Sequence, residues 1–186
     1  MTRPHGRADE ADQAGVRRLV LLRHAKSAWP DGVADRDRPL APRGRRDAPA
    51  AGRWLRDAGR VPDLAICSTA RRARETWELA AAALSTAAPP VSYEPRLYAT
   101  TAPALIDVVR ETPAALGTLL LIGHNPGMQE LTLRLARDAV GDALERAAAK
   151  FPTAAVAVLT WHGTWSELAP GAARLVRFAV PRGPKP

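Results

Sequence analysis

Short apolar runs alternate along this chain with longer segments of helical period. Residues 19–22 (Leu-Val-Leu-Leu), 63–67 (Asp-Leu-Ala-Ile-Cys) and 118–122 (Thr-Leu-Leu-Leu-Ile) have no 3.6-residue period and are too short for helices. Such runs predict strands buried on both faces. Residues 91–94 predict a shorter strand, and 154–161 and 174–180 two late ones. Residues 43–58 predict a helix with Ala51, Leu55 and Ala58 on its apolar face, ended by Gly59 and kinked or restarted at Pro49. Further helices are expected over 70–84, over 103–110 with a stripe of Ala104, Leu105, Val108 and Val109, and over 128–137 with Leu131, Leu133, Leu135 and Ala136. Residues 139–149 read as a helical or loose insert. Strands alternating with helices predict an α/β fold: a three-layer α/β/α sandwich with a mostly parallel central sheet. No internal repeat or linker interrupts it. One domain is expected over 18–180, between a polar, disordered tail over 1–17 and a Pro/Gly-rich frayed tail over 181–186.

Composition narrows the class. A chain of 186 residues can bury one sizeable core. No apolar run approaches the ~20 residues of a membrane helix, and MTRPHGRADEADQAG lacks the apolar centre of a secretory signal, so a cytoplasmic protein away from membranes is expected. The single cysteine, Cys67, excludes an internal disulfide and offers no metal cluster. The net charge of +8 comes almost wholly from arginines scattered among acids, without a basic run interleaved with aromatics. That pattern argues against a nucleic-acid partner and reads as a solvated, arginine-rich surface outside the motifs. A monomer is expected.

The ends of the buried runs carry the candidate chemistry. The first stops at Arg23-His24, and charge at the end of a buried strand needs a reason. In open α/β sheets ligands bind beyond the carboxyl ends of the strands. The second run ends in Ser68-Thr69, good N-cap residues, and the following helix carries Arg71, Arg72 and Arg74 in its first turns. Cations there oppose the helix dipole unless an anion is bound. The fourth run ends in Gly123-His124-Asn125-Pro126-Gly127. Pro126 fits the first helical position, Gly123 would let the backbone approach a ligand, and free amides at the helix start would face an anion. Right-handed crossovers bring these strand ends to one edge. Two guanidiniums and two imidazoles would then surround a tetrahedral dianion, with a neutral imidazole as nucleophile for phosphorus. Residues 27–39, with Asp31, Asp35 and Asp37 among arginines, form a loop expected to rim this edge; the spacing is wrong for a calcium loop. His5 and His162 read as a tail residue and a surface turn residue.

The strings RHAKSAWPDG and GHNPGM resemble the histidine phosphatase superfamily, and within it the SixA-type phosphohistidine phosphatases. Ala25 stands where the superfamily's Arg-His-Gly motif has Gly. Ser68, Thr69, Arg72 and Thr76 fall on its Ser-Pro-x-x-Arg-x-x-x-Thr segment, with Thr69 in the Pro place, which selects Arg72 over Arg71 and Arg74. The resemblance implies a phosphoglycerate mutase-like fold and a phosphatase without metal or other cofactor. His24 would be phosphorylated and then hydrolysed, Arg23 and Arg72 would hold phosphate oxygens, and His124 would be a further donor. Lys26, Ser27 and Asn125, inside the two histidine motifs, are expected to help bind substrate. Glu94 is the nearest candidate for a general acid, outside any matching motif, and Pro30 stands where many mutase relatives have a phosphate-touching Asn. Without an acid, a phosphoramidate is the easier substrate, which favours a phosphohistidine-carrying protein. A small-metabolite phosphomonoesterase, a mutase and a non-catalytic phosphate-binding module remain as alternatives.

Overall fold

The computed structural model describes residues 15–84 and 88–184. Of the expected disordered tail over 1–17, residues 1–14 lie outside them, and Val16 and Arg17 instead open the first strand, paired with His162 and Trp161. Seven strands form one sheet: β1 (Val16–Arg23), β2 (Leu64–Ser68), β3 (Val91–Glu94), β4 (Thr118–Gly123), β5 (Ala136–Ala139), β6 (Val156–His162) and β7 (Ala173–Ala179), in the order β3-β2-β4-β1-β6-β7-β5. Pairs β2–β3, β2–β4, β1–β4 and β5–β7 are parallel; β1–β6 and β6–β7 are antiparallel.

Five helices cover the sheet among the described residues: α1 (Pro42–Asp57), α2 (Arg71–Ala83), α3 (Ala102–Arg110), α4 (Gly127–Leu135) and α5 (Ala143–Ala149). The period of two explains the layers. Leu19 and Leu21 of β1 and Leu119 and Leu121 of β4 face the core shared with α3, α4 and α5. Val20, Leu22, Leu120 and Ile122 face the opposite core, with Ala51 and Leu55 of α1 and Ala73 and Trp77 of α2. Each central strand therefore needs apolar residues at every position, the continuous run seen in the sequence. No described helix is long and apolar enough to cross a membrane.

Three further expectations change. Residues 136–139, read as a helix end and insert, leave α4 to form the edge strand β5, where Asp138 meets Arg174 at 3.0 Å. The rest of the insert holds α5, the helical one of its two readings. Helix α1 runs on through Pro49. The tail after Pro181 is tied down at Arg182 and Gly183, because buried Asp47 accepts from Arg182 Nη1 at 2.8 Å and from the Gly183 amide at 3.0 Å; residues 185–186 lie outside the described ones.

The topology sets up the site. Register pairs Arg23 with Gly123, Cys67 with Ile122 and Ser68 with Glu94, so four parallel strands end at one edge. The start of β6 meets that edge because it runs antiparallel to β1. There the Arg23 amide donates to the Ala155 carbonyl, and the Ala154 amide lies 3.1 and 3.2 Å from the carbonyls of Arg23 and His24. Ala154 adopts φ 61°, as Ala99 beside Tyr98 adopts φ 50°. Left-handed backbone at a non-glycine residue costs about 1–2 kcal/mol, and both described instances flank this edge.

Candidate active site

His24 follows β1 directly, and its amide donates to the Gly123 carbonyl at 2.9 Å. Its ring is buried, with Nδ1 2.7 Å from the Ala25 carbonyl. A carbonyl only accepts, so Nδ1 carries the proton and Nε2 the lone pair. The Ala25 amide is held by Thr76 Oγ1, which in turn donates to the Arg72 carbonyl. Beneath, Gly44 of α1 lies so close against the Lys26 carbonyl that any side chain at 44 would collide with it.

His124 follows β4, its ring 5.0 Å from that of His24 between centroids. Its Nε2 lies 2.8 Å from Ser68 Oγ. Ser68 Oγ also accepts from the Ala70 amide, and its remaining proton and lone pair suit either tautomer; where the hydroxyl donates to Nε2, the proton of His124 sits on Nδ1. Nδ1 is buried and has no protein partner, like Nε of Arg23. In that tautomer both are donors that an oxyanion between these side chains would satisfy.

Burial pushes the pKa of His24 well below the usual imidazole value, and the neighbouring His124, Arg72 and Arg23 add to it against the Ala25 carbonyl. Burial, then Arg72, lowers His124 to about 4, with Asp35 opposing. Both imidazoles are neutral near pH 7. His24 is thus in the form a nucleophile requires.

Arg72 is buried on the first turn of α2, whereas Arg71 and Arg74 are exposed and Arg71 pairs with Glu75 at 2.8 Å. Arg72 Nη1 donates to the Asp35 carbonyl and Nη2 to Asp35 Oδ2 at 3.0 Å. The same Oδ2 accepts from the Tyr98 hydroxyl at 2.7 Å, and Oδ1 from Arg38 Nη1 at 2.7 Å. The Tyr98 hydroxyl and the two guanidiniums hold the Asp35 carboxyl well below the usual carboxylate range. The Tyr98 ring meets His124 edge-on at 5.5 Å. Arg23 Nη1 donates to the Phe151 carbonyl at 2.7 Å, and so does Asn125 Nδ2 at 3.2 Å.

The edge therefore gathers Arg23, His24, Arg72 and His124. The other expected residues stand differently. Ser27 is buried, but its Oγ takes Arg38 Nη2 at 2.6 Å. Lys26 is exposed and joins the structure through its carbonyl, 2.8 Å from the Ala41 amide. Asn125 braces the Phe151 segment and Gln129. Glu94 caps the turn at 95–97, bound by the Arg96 amide and guanidinium, which lower its pKa. Ser68 serves His124 where a helix cap was expected; Ala70 is the N-cap. The amide of Met128, near the start of α4, is taken by the His124 carbonyl, and α4 begins at Gly127, one residue after Pro126. Gly123 makes room for Met128, whose Cε would lie 2.7 Å from an added Cβ. Sequence reasoning missed Asp35, Arg38, Ser68 and Tyr98 as site residues. Tyr98 was findable, since it follows β3 at the same sheet edge. Among the described residues no group of three His, Cys, Asp or Glu side chains could hold a metal ion.

The family model of the histidine phosphatase superfamily (branch 1) matches residues 19–169. The chain is 45% identical over 163 residues to the uncharacterized protein Rv1276c of Mycobacterium tuberculosis, covering 87% of this chain and 100% of that one. Its fold is similar to a SixA structure from Nakamurella multipartitia, with TM-score 0.79 and 34% identity over 90% of this chain and 97% of that one. It is also similar to the protein histidine phosphatase SixA complexed with tungstate, with TM-score 0.71 over 88% and 96% of the two chains; at 20% identity that likeness is one of fold.

Proposed function

The chain belongs to the histidine phosphatase superfamily, in its SixA-type branch, and from that premise we propose that it hydrolyses phosphohistidine on proteins through a phosphoryl intermediate on His24. The observation that carries this reading is the fixed tautomer of His24: with Nδ1–H on the Ala25 carbonyl, Nε2 keeps its lone pair. Nε2 forms a bond to phosphorus while the bond to the leaving group breaks, and the leaving group takes the electron pair. Water then attacks the phosphorus of phospho-His24, releases inorganic phosphate and returns the free imidazole. Arg72 and Arg23 stabilise the equatorial oxygens, and His124 Nδ1–H donates to one of them. These side chains supply the positive charge, so turnover is expected to be unchanged by chelators.

The substrate follows from the proton inventory. Departure of an alkoxide near neutral pH needs a proton donor. Glu94 is tied to Arg96, and the Asp35 carboxyl is ionised. His124, with its pKa near 4, is no imidazolium donor at pH 7. An imidazole leaving from a phosphoramidate needs less help. The test pairs a phosphohistidine-bearing domain with a panel of phosphometabolites, for the wild type and His24→Ala. The expected result is preferred dephosphorylation of the domain, an acid-labile phosphoryl group trapped on His24, and loss of at least about 10³-fold in His24→Ala. Turnover retained in that variant overturns the mechanism. Preference for a metabolite overturns the substrate assignment alone.

A further inference from the structure

The arginine that should hold the incoming phosphoryl group is already holding an anion. Both terminal nitrogens of Arg72 go to Asp35, one to its carbonyl and one to its carboxylate. The Arg72 side chain is 7% exposed, so its guanidinium presents no second open face. Asp35 Oδ2 also takes the Tyr98 hydroxyl, and Tyr98 packs on His124, which packs on His24. A carboxylate thus sits among the donors that a phosphate oxygen would use, linked to the nucleophile through two side chains. We infer that Asp35 is an internal occupant of the phosphoryl subsite: the substrate's phosphoryl group displaces it from Arg72, and it returns to expel inorganic phosphate after hydrolysis. This rests on the reaction proposed above for the identity of the displacing group.

The loop is built to let the carboxylate leave while its two ends stay fixed. Ser27 bridges Leu40, and the Ala28 amide donates to the Pro39 carbonyl, which pins both ends. Arg38 is buried, held by Ser27 Oγ and the Ala28 carbonyl at 3.0 Å. Asp35 can therefore keep its Oδ1 contact to Arg38 while Oδ2 gives up Arg72 and Tyr98. The Asp35 side chain is 49% exposed, so water receives it on the outer side. An internal competitor lowers the apparent affinity for any anion by the fraction of time the subsite is open. A carboxylate with three donors on it keeps that fraction small, and weak retention of product follows.

Calorimetric titration with inorganic phosphate reads this without turnover. Asp35→Asn, which keeps the shape and removes the charge, is expected to bind phosphate about tenfold more tightly than the wild type, as for a subsite open about a tenth of the time. Equal or weaker binding in Asp35→Asn overturns the inference, because Asp35 would then be aligning Arg72. Absence of binding by both proteins at millimolar phosphate overturns it as well. A second reading uses the wild type alone. Saturating phosphate is expected to speed hydrogen exchange at the amides of Asp37 and Arg38, which close the turn around Asp35. Slower exchange there means that the loop closes on phosphate, which also overturns it. Tighter phosphate binding without His24-dependent turnover leaves the occupant standing and removes the proposed reaction. Turnover through His24 with unchanged phosphate affinity does the reverse.

Discussion

Asp47 and Asp35 are both bound by arginines, and they answer different questions. Asp47 is buried on α1, with its oxygens taken by Arg182, by the Gly183 amide and, at 3.4 Å, by Arg43. Asp35 is half-exposed on a loop, with its oxygens taken by Arg72, Arg38 and Tyr98. Counting hydrogen bonds does not separate them. What separates them is where the partners lead. The partners of Asp47 lead to the chain's own C-terminal segment and stop there. Those of Asp35 lead through Tyr98 to His124 and His24. A buried acid that ties chain segments together is a structural pin. An exposed acid drawn to a buried arginine, beside two neutral imidazoles, stands in for a ligand.

The largest effect that would break this contrast is on Arg72. Arg72→Ala should lower kcat/KM toward a phosphohistidine domain by about 10²–10³-fold, the usual loss when one preorganised donor to a developing oxyanion is removed. Arg182→Ala, measured beside it, should leave kcat/KM within about twofold of wild type, since Arg182 has no part in the transition state. Equal losses in the two variants would mean that both arginines act through folding.

Protonation of the site comes next in size. Unfolded imidazoles take a proton below about pH 6.5, whereas His124 in the fold resists until about pH 4. Its contribution to stability is therefore complete above pH 6.5 and is lost as pH falls toward 4, by roughly 3 kcal/mol from this residue. His24 acts in the same direction. Urea unfolding between pH 7 and pH 4 measures this, and His124→Gln should flatten the slope. A slope unchanged in that variant would place the sensitivity elsewhere in the molecule.

The Asp47 knot should show the opposite profile. Breaking a fully buried pair costs about 3–5 kcal/mol, but Arg182 is about a third exposed and Arg43 more than half, so a loss near 1–3 kcal/mol is expected for Asp47→Ala. At 2–4 °C per kcal/mol for a chain of this size, thermal unfolding should drop by about 5 °C with turnover unchanged.

What a single sequence made legible follows from range. Arg23, His24 and His124 were visible because each follows a buried run, a signal contained in a few neighbouring residues, whereas only the family resemblance separated Arg72 from Arg71 and Arg74. The parallel sheet was visible for the same reason, since β1, β2 and β4 each hold a run of apolar residues buried on both faces. The helix-dipole argument even called for an anion beside the arginines of α2. Nothing in the sequence singled out Asp35, one of three aspartates in one loop, because its partners lie 37 and 63 residues away. The hold of Arg182 on Asp47 spans 135 residues and was invisible for the same reason. Gly123 was read as backbone yielding to a ligand, and it yields to the Met128 side chain instead. Local signals named most of the groups that meet at the sheet edge, and long-range contacts decide what those groups hold at rest.

The smallest expected effect tests the acid that sequence spacing left as a candidate. Glu94 sits at the end of β3, on the same edge as the site, so position alone admits it as a proton donor. Its bonds argue otherwise. Oε1 accepts from the Arg96 amide and Oε2 from the Arg96 guanidinium, both at 2.9 Å, and Arg96 is bound in turn by Glu111. These contacts favour the charged form, and a carboxyl held ionised has no proton to give to a leaving group. Glu94→Gln should therefore keep kcat within about threefold of wild type on both a phosphohistidine domain and an alkyl phosphate, where loss of a working general acid costs about 10²–10⁴-fold. A drop of that size confined to the alkyl phosphate would make Glu94 the missing donor, open the site to phosphomonoesters, and show that the Arg96 contacts give way when substrate is bound.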